Sequence, residues 1–304
     1  MRGTVVVGSW LILAAACSGR HDASVDAGVD LSGTPDAAEV SDAITTDPEH
    51  IYGVTIDSID DLDDIVDSLA HLSRKPTTRI VFDENVPATD YTSATIAIHD
   101  VSHVMGELLD SFYVSDYSVE EYRDRAEEYF AELGDHVDIW EIGNEINGEW
   151  LGDTKDVVAK MTAAYELAEQ QGRATALTLY LNPDCWEDED HEMFAWAGAN
   201  VPPAMKQGLD YVFVSYYEDD CNDFQPDWNA VFAQLAVMFP TAKLGVGECG
   251  TDSAPHKAEF IERYYSLEVT EPRYIGGSFW WYFHQDMVPR TKPLWTTLDQ
   301  TIAP

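Results

Sequence analysis

The chain has 304 residues, 45% apolar and 12% aromatic, enough to bury one large core and to supply a single barrel domain of roughly 250 residues. Its 17 Lys and Arg stand against 56 Asp and Glu, a formal net charge of −39 that a phosphate backbone or an anionic lipid surface repels. That argues against nucleic acid as a partner and reads instead as a heavily hydrated, soluble surface.

At the N-terminus, Arg2 precedes an apolar stretch from Val5 to Ala16 that is short for a membrane span, and small residues lead into Cys17. Residues 1–17 therefore read as an export signal. Leu13-Ala14-Ala15-Ala16-Cys17 resembles a bacterial lipobox, which implies cleavage before Cys17 and lipid attachment to its sulfur. The expected location is the cell surface or outer membrane, with membrane contact only through that anchor; the alternative is an ordinary signal peptide and a secreted protein. Residues 18–48 are Ala, Asp, Gly, Ser, Thr and Val without periodicity, an acidic linker with a reach of roughly 30 Å. The folded domain is expected over 49–304, as a monomer.

From residue 51 onward, short runs rich in β-branched and aromatic residues recur at 52–57, 78–83, 103–110, 137–145, 174–182, 209–217, 242–248 and 274–283. Segments with helical spacing lie between most of them, at 60–72, 119–133, 154–171, 226–239 and 255–267, with a weaker one at 92–99. Ser118, Asp153 or Thr154, and Asp252 or Ser253 are the predicted caps. Strands alternating with helices imply parallel pairing and right-handed crossovers. Eight such units, with no Gly-x-Gly-x-x-Gly after the first run, predict the α/β class and a closed (β/α)8 TIM barrel.

Ligand sites of such barrels lie at the C-terminal strand ends. Polar and aromatic residues gather there: Asp57, Asp83-Glu84-Asn85, Asp110, Asn144-Glu145, Asn182, Tyr216-Tyr217, Glu248 and Trp280-Trp281. Asp57 and Asp110 also suit helix capping. Glu145 and Glu248 each close an apolar run, and two carboxylates facing one another are the minimum equipment of a glycosidase.

Asn-Glu at the end of one run and Glu at the end of another, 248 − 145 = 103 residues later, resembles the clan A retaining glycoside hydrolases. The resemblance implies that Glu145 is the acid/base, that Glu248 is the nucleophile, and that Asn144 bonds the sugar 2-hydroxyl. It implies further that Tyr217 hydrogen-bonds the nucleophile and that a Trp of the eighth strand floors the sugar. Adjacent residues point to opposite faces, so only one of Trp280 and Trp281 can do this, and Trp281 is preferred. Two departures stand out. Ser215 occupies a place where many members carry His, and Arg79 falls at the beginning of the second run where the family has Arg at its end.

Among loop aromatics, Tyr91, Tyr113, Trp150, Trp186, Phe224 and Trp228 are candidate sugar platforms, Trp150 foremost because it follows Glu145 in one loop. The expected partner is thus a β-linked poly- or oligosaccharide. An inactive carbohydrate-binding barrel and a transglycosylase using the same two glutamates are the competing readings. No His-x-His and no His-Glu-x-x-His is present, so no metal and no cofactor is called for. Cys185 and Cys221, in loops after neighbouring strands, are expected to bridge, and Cys249 to be buried.

Overall fold

A computed structural model describes residues 50–304. The export signal, Cys17 and the linker lie outside the described residues.

Eight parallel strands close into a barrel in simple sequential order, β1 (Ile51–Ile56), β2 (Thr77–Val81), β3 (His103–Glu107), β4 (Ile139–Glu141), β5 (Thr175–Tyr180), β6 (Tyr211–Tyr216), β7 (Lys243–Cys249) and β8 (Tyr274–Trp280). Pairing of Ile51 with Gly276 shuts the ring. The helices are α1 (Leu62–Ala70), α2 (Thr92–His99), α3 (Val119–Leu133), α4 (Thr154–Gln170), α5 (Met193–Asn200), α6 (Pro203–Gly208), α7 (Trp228–Met238), α8 (Lys257–Tyr265), α9 (Phe283–Met287) and α10 (Pro293–Ile302). The protein is a (β/α)8 barrel.

Strand alternation divides the apolar residues into two bodies. The larger lies between sheet and helices and includes Val104, Trp140, Val212 and Val246. The smaller, of Met105, Ile139, Ala176, Phe213, Ile275 and Phe279, fills the lower barrel interior. Gly53 makes room for it, since a Cβ there would stand 2.4 Å from the Phe279 ring.

Local signals explain most boundaries. Ser118 caps α3 through a reciprocal capping box with Glu121, and Asp153 caps α4 by accepting from the Lys155 amide. Asp252 and Ser253 do not cap α8. Its N-cap is His256, one residue beyond Pro255. Helices α5 and α6, unpredicted above, follow a loop rich in acidic residues, and α5 lacks a polar face over which helical spacing would be legible.

Candidate active site

The upper barrel mouth gathers the residues singled out at the strand ends. Glu248, the penultimate residue of β7, is 6% exposed and receives three donors. The Tyr217 hydroxyl donates to Oε1 at 2.7 Å, and Arg79 Nη2 and Asn144 Nδ2 donate to Oε2 at 2.5 and 3.4 Å. Glu145 is not a strand residue. The regular part of β4 ends at Glu141, and Glu145 stands four residues further on with φ 46°. That left-handed backbone costs a β-carbon residue on the order of 1–2 kcal/mol and persists where surrounding contacts fix it. Here the Ser215 hydroxyl donates to Glu145 Oε1 at 2.6 Å, the Ser111 hydroxyl to Oε2 at 2.9 Å, and the Glu145 carbonyl accepts from Gly148 at 2.7 Å.

The two carboxyls sit in opposite environments. Burial, and then the neighbouring Glu248 charge, push Glu145 up to about 8. A serine hydroxyl can donate to a carboxylate or accept from a carboxylic acid, so Ser111 and Ser215 suit either protonation state. Trp150 joins this network, its indole N–H donating to the Ser111 hydroxyl at 3.1 Å while the ring stays 39% exposed at the rim.

Arg79 requires a correction. It occupies the middle of β2, is fully buried, and its long side chain reaches Glu248 and the Gly247 carbonyl, the latter at 3.0 Å. Although Arg79 stands below the strand end, its guanidinium still arrives at Glu248, from lower in the strand. Two further buried carboxyls surround it, Glu107 at 3.1 Å and Glu141 at 3.8 Å from Nε. Three carboxyls share one guanidinium, and desolvation pushes the pKa of both Glu107 and Glu141 upward against the pull of that cation.

The tryptophan pair divides as strand alternation requires. Trp281 lies at the mouth, half-buried, with the Arg79 guanidinium 5.3 Å from its ring centroid. Trp280 is withdrawn as a substrate contact: it is fully buried and donates its indole N–H to Asp286 at 3.1 Å. Two of the loop aromatics are also anchors rather than platforms. Tyr91 is buried and donates to Asp83, and Trp228 stacks on Phe232. Phe112, passed over above, is 70% exposed beside Ser111. Asp110 caps the turn carrying both, accepting from the Phe112 amide at 2.8 Å. Cys185 and Cys221 form a disulfide across the loops after β5 and β6, and Cys249 is free and buried.

No protein-family model matches the chain, and no curated protein matches it in sequence. Solved structures do match it in fold. The crystal structure of ScGas2 in complex with compound 9 aligns with a TM-score of 0.55 and 13% identity, covering 86% of this chain and 66% of that one. Saccharomyces cerevisiae Gas2p in complex with laminaritriose and laminaritetraose aligns at 0.52 and 13%, covering 84% and 64%. The chain thus spans just under two thirds of the length of these neighbours. A GH1 β-glucosidase from Exiguobacterium antarcticum B7 aligns at 0.47 and 12%, covering 72% and 75%. At 13% identity the two Gas2 structures share the fold alone with this chain, and any chemistry has to be argued from the residues at the mouth.

Proposed function

We propose that this protein is a retaining glycosidase that cleaves β-glycosidic bonds of a poly- or oligosaccharide by double displacement. The observation that carries the reading is the pairing, in one buried network, of a carboxyl pushed up to about 8 (Glu145) with a carboxyl held by three donors (Glu248). Glycoside cleavage needs both kinds, one to give a proton and one to meet the positive charge growing at the anomeric carbon.

Glu145 protonates the leaving oxygen while Glu248 attacks the anomeric carbon and forms the glycosyl-enzyme. Once Glu248 is esterified its charge is gone, and with it the second cause of the high Glu145 pKa. Glu145 then becomes a stronger acid, so its carboxylate form is available to take a proton from water in the second step. Tyr217 and Arg79 fix the nucleophile, and Asn144, whose side chain lies between Ser111 and Glu248, is set to bond the sugar 2-hydroxyl. Trp281 floors the sugar and Trp150 extends the platform at the rim.

The preference for a glucan follows from the neighbour solved with laminaritriose and laminaritetraose. We further propose that export and lipid attachment at Cys17 hold the barrel at the cell surface. Among the described residues, no helix is long and apolar enough to cross a membrane. Incubation of the purified domain with laminari-oligosaccharides and a panel of other β-glucans tests the function. Shorter products of retained anomeric configuration support it. Longer products would assign transfer in place of hydrolysis, and unchanged substrate across the panel would leave a binding barrel.

A further inference from the structure

The apolar layer of Met105, Ile139, Phe213 and Phe279 closes the pore beneath the upper mouth. Below it, among the strand beginnings, is a cavity of about 470 Å³. Arg74 and Lys75, just before β2, and Lys243, the first residue of β7, line it together with His50 and His103.

Such a cluster is conspicuous in so acidic a chain. Of its 17 Lys and Arg, Arg2 and Arg20 lie outside the described residues, leaving 17 − 2 = 15. Eleven of these fifteen use their side chains in ion pairs or hydrogen bonds. Only Arg74, Lys75, Lys155 and Lys243 have neither kind of partner among the described residues, and three of these four face the one cavity. Helix C-termini also attract cations to this end of a barrel. That service is performed by other residues: Arg173 donates to the Phe130 and Gly134 carbonyls, and Arg273 to those of Ala236, Phe239 and Ala242. The cavity cations are left over from it.

Two tyrosines complete the chemistry. Tyr52 and Tyr211 line the same space with hydroxyls that have no hydrogen-bond partner among the described residues, and Lys243 Nζ stands 5.2 Å from the Tyr211 ring centroid. Unpaired cations beside free phenols suit a ligand that carries both an oxyanion and hydroxyl groups. The volume lies in the range of small-ligand pockets. A polyanion or an anionic membrane is disfavoured, because the net charge of −39 repels both and a flat surface does not enter a concavity.

We propose that the lower mouth of the barrel is a second binding site, for a small acidic saccharide of one or two rings bearing a carboxylate, phosphate or sulfate. It lies apart from the proposed catalytic mouth and does not depend on the function assigned there. Calorimetric titration of the full chain with glucuronate, glucose 6-phosphate, inorganic phosphate and glucose tests it. Saturable binding of an acidic sugar, at least about tenfold tighter than glucose, is expected. Lys243→Gln or Arg74→Gln, each checked for an unchanged melting profile, should weaken that binding about tenfold, while Lys155→Gln leaves it intact. Binding of inorganic phosphate as tight as that of both acidic sugars would overturn the saccharide assignment. Equal weakening by Lys155→Gln, weakening by Trp281→Ala, binding only to anionic vesicles, or no saturable binding at all would each overturn the site.

Discussion

Replacing Glu145 by Gln mimics the neutral acid permanently and isolates the consequence of its environment. The Glu145 pKa is raised from an ordinary 4.5 to about 8 in the fold. A group whose folded pKa lies above its unfolded one contributes most to stability when protonated, below pH 4.5, and that contribution is lost as pH rises through 8. The full interval, 8 − 4.5 = 3.5 pH units, corresponds to about 5 kcal/mol. Relaxation and water entry at an open barrel mouth bring this to about 2–3 kcal/mol. Because Gln cannot ionise, Glu145→Gln should melt near the wild type at pH 4 and about 5–10 °C above it at pH 9. Thermal melts followed by circular dichroism across that range measure the difference. A difference that stays flat with pH, or grows toward acid, refutes a buried, predominantly neutral Glu145.

Arg79→Met leaves Glu248, Glu107 and Glu141 without their common cation, and should cost about 3–5 kcal/mol in urea unfolding at pH 7. Burial raises the pKa of Glu107 and of Glu141, so the loss should shrink toward pH 4, where these two need the cation less; equal losses at both pH values contradict the shared-charge account. The bridge between Cys185 and Cys221 spans 36 residues, so reduction or Cys221→Ser should cost about 3–4 kcal/mol by the chain-entropy relation, read as a lowered urea midpoint. Cys17→Ser should move the exported protein from the membrane fraction to the soluble one with activity per molecule unchanged. A wild type that is already soluble after export would refute the anchor.

The barrel was legible because its signal repeats eight times, and Asn144, Glu145, Tyr217 and Glu248 drew notice because they lie at the ends of apolar runs; the structure gathers them at one mouth. What failed was register. Arg79, Glu107 and Glu141 lie on three neighbouring strands, yet nothing along the chain tells how far each side chain stands above the barrel floor; β3 and β4 set Glu107 beside Glu141, and that pairing is a cross-strand fact. A usable clue was present all the same: a lone Arg within an otherwise apolar run needs buried carboxyls, and Glu107 and Glu141 are among the few acids inside such runs. The turn that brings Glu145 to the mouth was also hidden, since a non-glycine residue at φ 46° has no composition signal. The run drew attention to Glu145 as a strand end, whereas the residue stands in a turn beyond the strand. Ser215 first read as a departure from the family pattern; its hydroxyl on Glu145 gives it a place in the site.

Chemical rescue of the two glutamate variants tests the central claim most directly. On an aryl glycoside with an activated leaving group, Glu145→Ala should still form the glycosyl-enzyme, accumulate it, and yield a glycosyl azide of retained configuration when azide is added. Glu248→Ala should be inactive alone and give the inverted azide, the anion entering the space vacated by the carboxylate. Products of the opposite configurations would reverse the two roles. Wild-type rates in both variants on a substrate that the native protein cleaves would contradict the catalytic pair itself.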